Sequence, residues 1–323
     1  MKLENKSILL LGLGFYDYEE AMVDALKTRF SSVYYANIQY KSFLGRILSH
    51  LNPTYLKRIS NKYVTKQINN LPSNIDYIII IKGETLDKEH ITLLKDKYSS
   101  SRFLLYLWDS LIRIPNSLLL LENFDNIFTF DRKDAIEYNL KFRPLFYRQS
   151  FPGIHNSVYD ISFVGEMHSN RYHILHKLKQ EFIKNGIKYK FALYTGRYTY
   201  FINRYIKKSI CKEDSDMFTF KKIPYKEYLK LSLSSRVILD IAHPQQTGLT
   251  IRTIESIGMG KKIMTNNRDI MFYECLDADN YMIFDINNLL IDYSFFTREL
   301  SKVDNSYFSL DSFMDELIQT LLN

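Results

Sequence analysis

Acidic residues are missing from two long stretches of this sequence. From Ala25 through Ile75 there is no Asp or Glu, while Lys27, Arg29, Lys41, Arg46, Lys57, Arg58, Lys62 and Lys66 all occur. A second acid-free stretch, Phe182 to Lys212, carries eight more Lys and Arg. Such asymmetry points to an anionic partner: a membrane surface, a phosphate-bearing substrate or nucleic acid. Cysteine is scarce. Cys211 and Cys275 are far apart and lack metal-ligand spacing, which excludes a disulfide framework and fits a reduced, cytoplasmic chain. Long apolar runs are lacking too. Ile8 to Leu13 is too short for a membrane span and has no small-residue cleavage site, so it reads as a strand and not a signal peptide. The expectation is a soluble or peripheral protein.

Several catalytic patterns are also absent. No Gly-x-x-x-x-Gly-Lys-Ser/Thr occurs, which excludes phosphate-loop ATPases and kinases. No Ser-His-Asp or Cys-His arrangement has a nucleophile turn, so covalent hydrolysis is disfavoured. Of the seven histidines, His173 and His176 share a helical face, but no cysteine or carboxylate stands at ligand spacing beside them. A metal site on protein ligands is therefore not expected. Gly12-Leu13-Gly14 follows the first strand, yet Asp17 and Tyr18 stand where a third glycine would be needed, and NAD is disfavoured.

What is present suits two domains of ordinary size: 323 residues, 46% hydrophobic and 24% charged. Apolar runs at Ser7–Gly12, 32–36, 77–82, 103–107 and 126–130 read as strands of one sheet, with helices near 18–29, 88–97 and 131–140 between them. The segment 41–70 is helical in pattern, broken near Pro53, with Phe43, Leu44, Ile47, Leu48 and Leu51 on one side and cations on the other. Ordinary surface helices, or docking on anionic lipid, would both produce it. Residues 144–156, with Arg-Pro and Phe-Pro-Gly, read as a linker, which divides the chain into domains 1–150 and 157–323. In the second, strands are expected at 160–164, 190–193, 237–241, 262–265 and 281–284. Helices are expected at 169–184, 225–233, after Thr250, near 287–300 and at 310–322.

The stretch from Val237 to Asn267 organises the whole chain. An apolar strand around Asp240 leads into a polar loop, His243-Pro244-Gln245-Gln246, then Gly248-Leu249-Thr250, with Thr250 as helix N-cap. Arg252 and Glu255 fall in the first helical turn, three apart and on one face. Strand, loop, helix and strand form one βαβ unit, whose ligands bind at strand C-termini. A cation and a carboxylate there suit a ligand with both an anion and hydroxyls, such as a nucleotide sugar. Earlier, Phe163-Val164-Gly165 is followed by His168 and Arg171 at a helix N-terminus, an anion site by backbone geometry.

Gly-Leu-Thr-x-Arg-x-x-Glu followed by Gly-Lys-Lys-x-x-Thr-Asn resembles the donor-site pattern of bacterial glycosyltransferases of the spore-maturation and capsular or lipopolysaccharide biosynthesis branch. Phe-Val-Gly-x-x-x-x-x-Arg resembles the opening of the same donor domain. The sequence departs from the larger retaining group in having Thr247, not Glu, eight positions before Glu255. The resemblance implies an α/β chain of two Rossmann-like domains with parallel sheets facing across a cleft (GT-B-like). It implies transfer of a sugar from a nucleotide-sugar donor to a cell-surface glycan or lipid-linked acceptor. Donor binding falls to Gly165, His168, Arg171, Tyr194, His243, Gly248, Thr250, Arg252 and Glu255. The acceptor side takes Gly14, Asp17, Glu84 and Trp108, with Asp109 as catalytic base. Trp108 could stack on a sugar or pack in the core, and Asp109 could equally be a helix cap. No tightly bound cofactor or divalent metal is implied, and the last helix crosses back to the first domain in this architecture. The expected location is cytoplasmic, peripheral at the inner face of the membrane. The rival class is a nucleic-acid-binding or non-catalytic nucleotide-binding protein using the basic runs; no binding-module motif supports it.

Overall fold

The structure, a computed structural model, describes residues 3–14, 17–42, 51–151 and 156–323. The expected stripe of Phe43, Leu44, Ile47 and Leu48 with Arg46, the turn residue Phe15, and linker positions 152–155 lie outside the described residues. The chain divides into two compact units. One comprises Met1–Arg148, Gln245–Gly248 and Leu310–Asn323; the other comprises Gln149–Pro244 and Leu249–Ser309.

The first unit is built on a parallel six-stranded sheet in the order β2-β1-β3-β4-β5-β6. Its strands are β1 (Leu3–Gly12), β2 (Phe30–Asn37), β3 (Tyr77–Ile81), β4 (Arg102–Leu107), β5 (Asn126–Thr129) and β6 (Lys141–Phe142). Ile78, Ile79 and Ile80 are fully buried, as are Leu9 to Leu11 and Leu104 to Leu107. Such strands are covered on both faces by helices, which is why they read as unbroken apolar runs. The order reverses between β1 and β3, so the loops after those strands open at a switch point where ligands bind in this topology. The helix Leu310–Leu322 belongs to this unit. It buries Phe313, Met314, Leu317, Ile318 and Leu321. Arg29 pairs with Asp311 and Asp315 near its N-terminus. At its other end Arg102 donates to the carbonyls of Leu321 and Leu322, where the helix dipole favours a cation. Arg143, 1% exposed, reaches Glu316 and Ser312 of the same helix.

The second unit repeats the plan in the order β12-β11-β10-β7-β8-β9, again all parallel. Its strands are β7 (Tyr159–Glu166), β8 (Tyr189–Tyr194), β9 (Phe218–Thr219), β10 (Ser235–Asp240), β11 (Lys262–Thr265) and β12 (Tyr281–Ile283). Renumbered within the unit, this is the Rossmann order, and the reversal falls between β7 and β10. Helices Arg171–Lys184 and Ile251–Gly258 start from the loops that follow those two strands.

The helix expected near 287–300 is not formed; only a short 3-10 turn, Tyr293–Phe296, occurs there. The reason is local competition for the backbone. Asp285 accepts from the amide of Asn287, and Asp292 accepts from the amide and hydroxyl of Ser294, each making a turn where a helix would need to propagate. Short strands β6 and β9 and the helical turn Arg197–Phe201 escape the sequence reading because two to five residues carry no periodicity.

Candidate functional site

In the second unit the switch point gathers residues from both flanking loops. Phe163 lies fully buried within β7, and the Arg252 guanidinium sits over its ring, 4.5 Å from the centroid. Arg252 donates its Nε to the carbonyl of Val164 at 3.0 Å and its NH1 to Asp240 Oδ1 at 2.7 Å. Gly165 makes that passage feasible, since a Cβ there would stand 2.8 Å from Phe163 and 2.9 Å from Arg252. Arg171 approaches from the other helix. It donates to the carbonyl of Glu166 and to that of Ile241, both at 3.2 Å, and its guanidinium lies 6.0 Å from the same ring. Two guanidiniums and two helix N-termini thus converge where β7 and β10 end. That is the electrostatic form of an anion site.

Asp240 holds this arrangement together. It ends β10, is fully buried, and accepts from Arg252, from Thr250 Oγ1 at 2.7 Å and from Thr265 Oγ1 at 3.3 Å. Thr250 in turn caps the helix by accepting from the amide of Thr253. Sequence reasoning passed over Asp240 as a member of an apolar strand. A carboxylate inside Val-Ile-Leu-Asp-Ile was the available signal, because a buried charge needs a partner. Asn266 fixes the loop beyond, accepting from the amide of Ala242 at 2.8 Å.

Glu255 sits one turn along and is 1% exposed. It accepts from the hydroxyl of Tyr225 at 3.0 Å. Tyr228, three residues further on that helix, keeps its hydroxyl buried. Burial first, and then the Glu255 carboxylate, push the Tyr228 phenol up and keep it protonated. Neither tyrosine was singled out from the sequence.

The remaining expected donor residues are dispersed. His168 is exposed beside Ser169, with 3.3 Å between its Nδ1 and the hydroxyl. Tyr194 ends β8 half-buried, and His243 is half-buried in the loop after β10. Gly248 belongs to the first unit, where a Cβ would lie 2.6 Å from the Phe130 ring. The glycine is required for that close approach, and its amide, with that of Thr247, is held by the buried Asp131. Lys261 and Lys262 lead into β11. Both are buried and turned to backbone carbonyls, Lys261 to Leu233 and Lys262 to Phe295 and Arg298, and burial pushes each down to about 8. A cavity of about 370 Å³, lined by Ile257, Ile263, Leu276 and Leu300, lies away from the switch point.

His176 gains neighbours that sequence spacing does not supply. Chain folding brings Cys211 and Asp214 to it, with ligand-type atoms within 4.8 Å of one another. Asp214 is already engaged by Tyr172, by His176 and by the ammonium of Lys179 at 3.2 Å. Burial opposes its charge, but these three donors hold the carboxyl below its usual range.

In the first unit the loop after β1 has an occupant. The carboxylate of Glu19, 2% exposed, accepts from the amides of Leu13 at 2.8 Å and Gly14 at 3.0 Å and from the Tyr35 hydroxyl at 2.7 Å. A Cβ on Gly12 would lie 2.1 Å from that carboxylate, and Gly14 takes φ +63°. The glycines serve an internal anion. Asp17 occupies the N-cap position without a capping bond and faces Arg148 at 3.5 Å.

After β3, Lys82 and Gly83 both adopt positive φ, 67° and 66°. Lys82 reaches Glu84 at 3.0 Å and Asp109 at 2.8 Å, and Arg113 takes the other oxygen of Asp109 at 2.9 Å. Burial works against the Lys82 charge, yet Asp109 and Glu84 raise it above the ordinary lysine value. Asp109 is thus the centre of an ion network, not a free cap. Trp108, 7% exposed, packs edge-on against Tyr18, Tyr106 and Phe146, so its ring offers no open face for stacking on a sugar.

Over nearly its whole length the chain is similar in fold to several solved structures. HepE of Anabaena, in complex with UDP and glucose, matches at a TM-score of 0.59 with 12% identity, covering 98% of this chain and 99% of that one. UDP-GlcNAc 2-epimerase of Methanocaldococcus jannaschii, in complex with UDP-GlcNAc and UDP, matches at 0.53 with 10% identity and 99% of each chain. The glycotransferase of kitacinnamycin matches at 0.52 with 11% identity, covering 98% of this chain and 99% of that one. These likenesses define the fold: α/β, with two Rossmann-like units on parallel six-stranded sheets. No protein-family model matches the sequence, and no curated protein does.

Proposed function

We propose that this chain is a glycosyltransferase that moves a sugar from a nucleotide-sugar donor to a cell-surface glycan or lipid-linked acceptor, in capsule, lipopolysaccharide or related polysaccharide assembly. One observation carries the reading: Arg171 and Arg252 converge on two helix N-termini at the switch point of the second unit. A diphosphate there would meet two guanidiniums and the amide ends of the two helices. Glu255 would take the ribose hydroxyls, a role that requires it to leave or share Tyr225. Asp109 would receive the proton of the attacking acceptor hydroxyl as the bond from the anomeric carbon to the nucleotide breaks and the new glycosidic bond forms. HepE, of the same fold, holds UDP and glucose, which supports a sugar nucleotide as ligand.

The reading places the protein on the cytoplasmic side, in peripheral contact with an anionic membrane. Lys57, Arg58, Lys62 and Lys66 are exposed on the helix Pro53–Asn69 and support that contact. Among the described residues no helix is long and apolar enough to cross a membrane. A thermal-shift series with UDP-, GDP-, dTDP-, CMP- and ADP-linked sugars tests donor binding, because a selective ligand stabilises by its occupancy. Product analysis with the stabilising donor then separates transfer from the epimerisation that a 2-epimerase of the same fold performs. Absence of stabilisation by every sugar nucleotide would remove the donor assignment.

A further inference from the structure

The acid-free stretch of the second unit forms more than a charged face. After β8 the chain enters the helical turn Arg197–Phe201, which continues as a π-helical turn, Ile202–Ile206. Neither turn buries a residue. Tyr198, Phe201, Tyr205 and Ile206 are 77, 52, 60 and 63% exposed. The Phe201 and Tyr205 rings pair at 5.2 Å, and Phe220 adds a further half-exposed ring from the segment after β9. Large apolar side chains scattered singly over a surface need no explanation, but a cluster marks an interaction face.

Cations are set among these side chains. Arg204 lies 5.4 Å from the Tyr205 ring and Arg197 5.8 Å from the Phe220 ring. Lys207, Lys208, Lys221 and Lys222 are all exposed beside them. Of the acids that follow in the chain, Glu213 is exposed, Asp214 is buried and Asp216 is paired with Lys179.

We infer that this face enters an anionic lipid bilayer at the boundary between headgroups and acyl chains. The inference rests on the membrane part of the proposed function and deepens it by naming the segment that inserts. Tyrosine and phenylalanine with interleaved Arg and Lys match that boundary, where rings sit in the apolar edge and cations meet lipid phosphates. A second copy of the chain is disfavoured by charge, since six cations would face six. Single-stranded nucleic acid would use the rings and cations but leaves Ile206 nothing to stack on, whereas acyl chains accept it.

The test uses the whole chain with vesicles of phosphatidylcholine containing phosphatidylglycerol and with phosphatidylcholine alone. Trp108 is the sole native tryptophan and is buried, so emission from a Phe201→Trp variant that shifts to the blue on adding anionic vesicles reports residue 201. The expected results are that blue shift and roughly tenfold weaker partitioning of a Phe201→Ser, Tyr205→Ser, Ile206→Ser variant. That variant should melt like the wild type and be stabilised equally by a sugar nucleotide. Wild-type sedimentation with vesicles while the residue 201 emission stays unmoved would overturn the inference and assign the contact to the Lys57–Lys66 helix. Partitioning of the triple variant equal to wild type would also overturn it. A wild-type chain that ignores anionic vesicles at low salt would overturn both membrane statements; sugar transfer, read by its own assay, would stand or fall separately. Salt-steep binding of single-stranded RNA without vesicle binding would replace lipid by nucleic acid.

Discussion

The guanidinium of Arg252 is tied to Asp240 at 2.7 Å, with only 11% of the arginine side chain and 1% of the aspartate exposed. A residue expected to meet a ligand therefore also neutralises a buried charge. Its two tasks predict separable losses. Arg252→Ala should weaken sugar-nucleotide binding by about 1–3 kcal/mol. It should also destabilise the second unit by about 3–5 kcal/mol, because Asp240 is left buried and unpaired. Adding Asp240→Asn should return much of the stability, read by denaturant melting, without returning affinity, read by calorimetry. Recovery of both together would make the pair purely structural.

Glu255 and Tyr225 give a competition experiment. If ribose hydroxyls replace the tyrosine on the carboxylate, Glu255→Gln should cost about 1–3 kcal/mol of UDP affinity. Tyr225→Phe should leave affinity equal or higher, because the ligand no longer displaces a hydroxyl. Titration calorimetry with UDP decides. Unchanged affinity in Glu255→Gln would remove the ribose role.

Asp109 should matter for turnover and not for donor affinity. Asp109→Asn is expected to lower turnover roughly a hundredfold, while the UDP dissociation constant stays put. Its ion pairs with Lys82 and Arg113 set the control. Arg113→Met, which removes one pair and leaves the carboxylate, should keep far more activity than Asp109→Asn. Equal loss in both variants would make Asp109 a strut of the network.

Asp134 predicts a pH dependence. It is 5% exposed, and burial, followed by the nearby Asp131 charge, raises its carboxyl to about 6 against the bond from the Leu111 amide. The folded chain then holds a proton that the unfolded chain releases near pH 4, so this group lowers stability as pH rises between about 4 and 6. Asp134→Asn should flatten that part of the stability profile, gaining up to about 3 kcal/mol above pH 6. Parallel profiles for wild type and variant would refute the assignment.

Local chemistry was legible in the sequence. Thr250 as a cap, the apolar runs of β3 and β4 and the helix Tyr225–Leu233 depend on neighbours within a few residues, and the structure forms them. The helix expected near 287–300 failed because Asp285 and Asp292 offered the backbone turns that compete with it. What could not be read was who meets whom. Nothing along the chain says that Arg252 turns to Asp240, twelve residues back, or that Cys211 comes to His176. The close approach that Gly248 makes to Phe130 spans more than a hundred positions.

The Glu19 carboxylate in the turn after β1 has a consequence for counting. An amide cradle that already holds its own carboxylate is closed to phosphate, so titration with a sugar nucleotide should saturate at one molecule per chain although the Rossmann-like plan occurs twice. The duplication of architecture is thus not a duplication of capacity. One carboxylate, set six residues beyond the amide it fills, makes the two halves unequal.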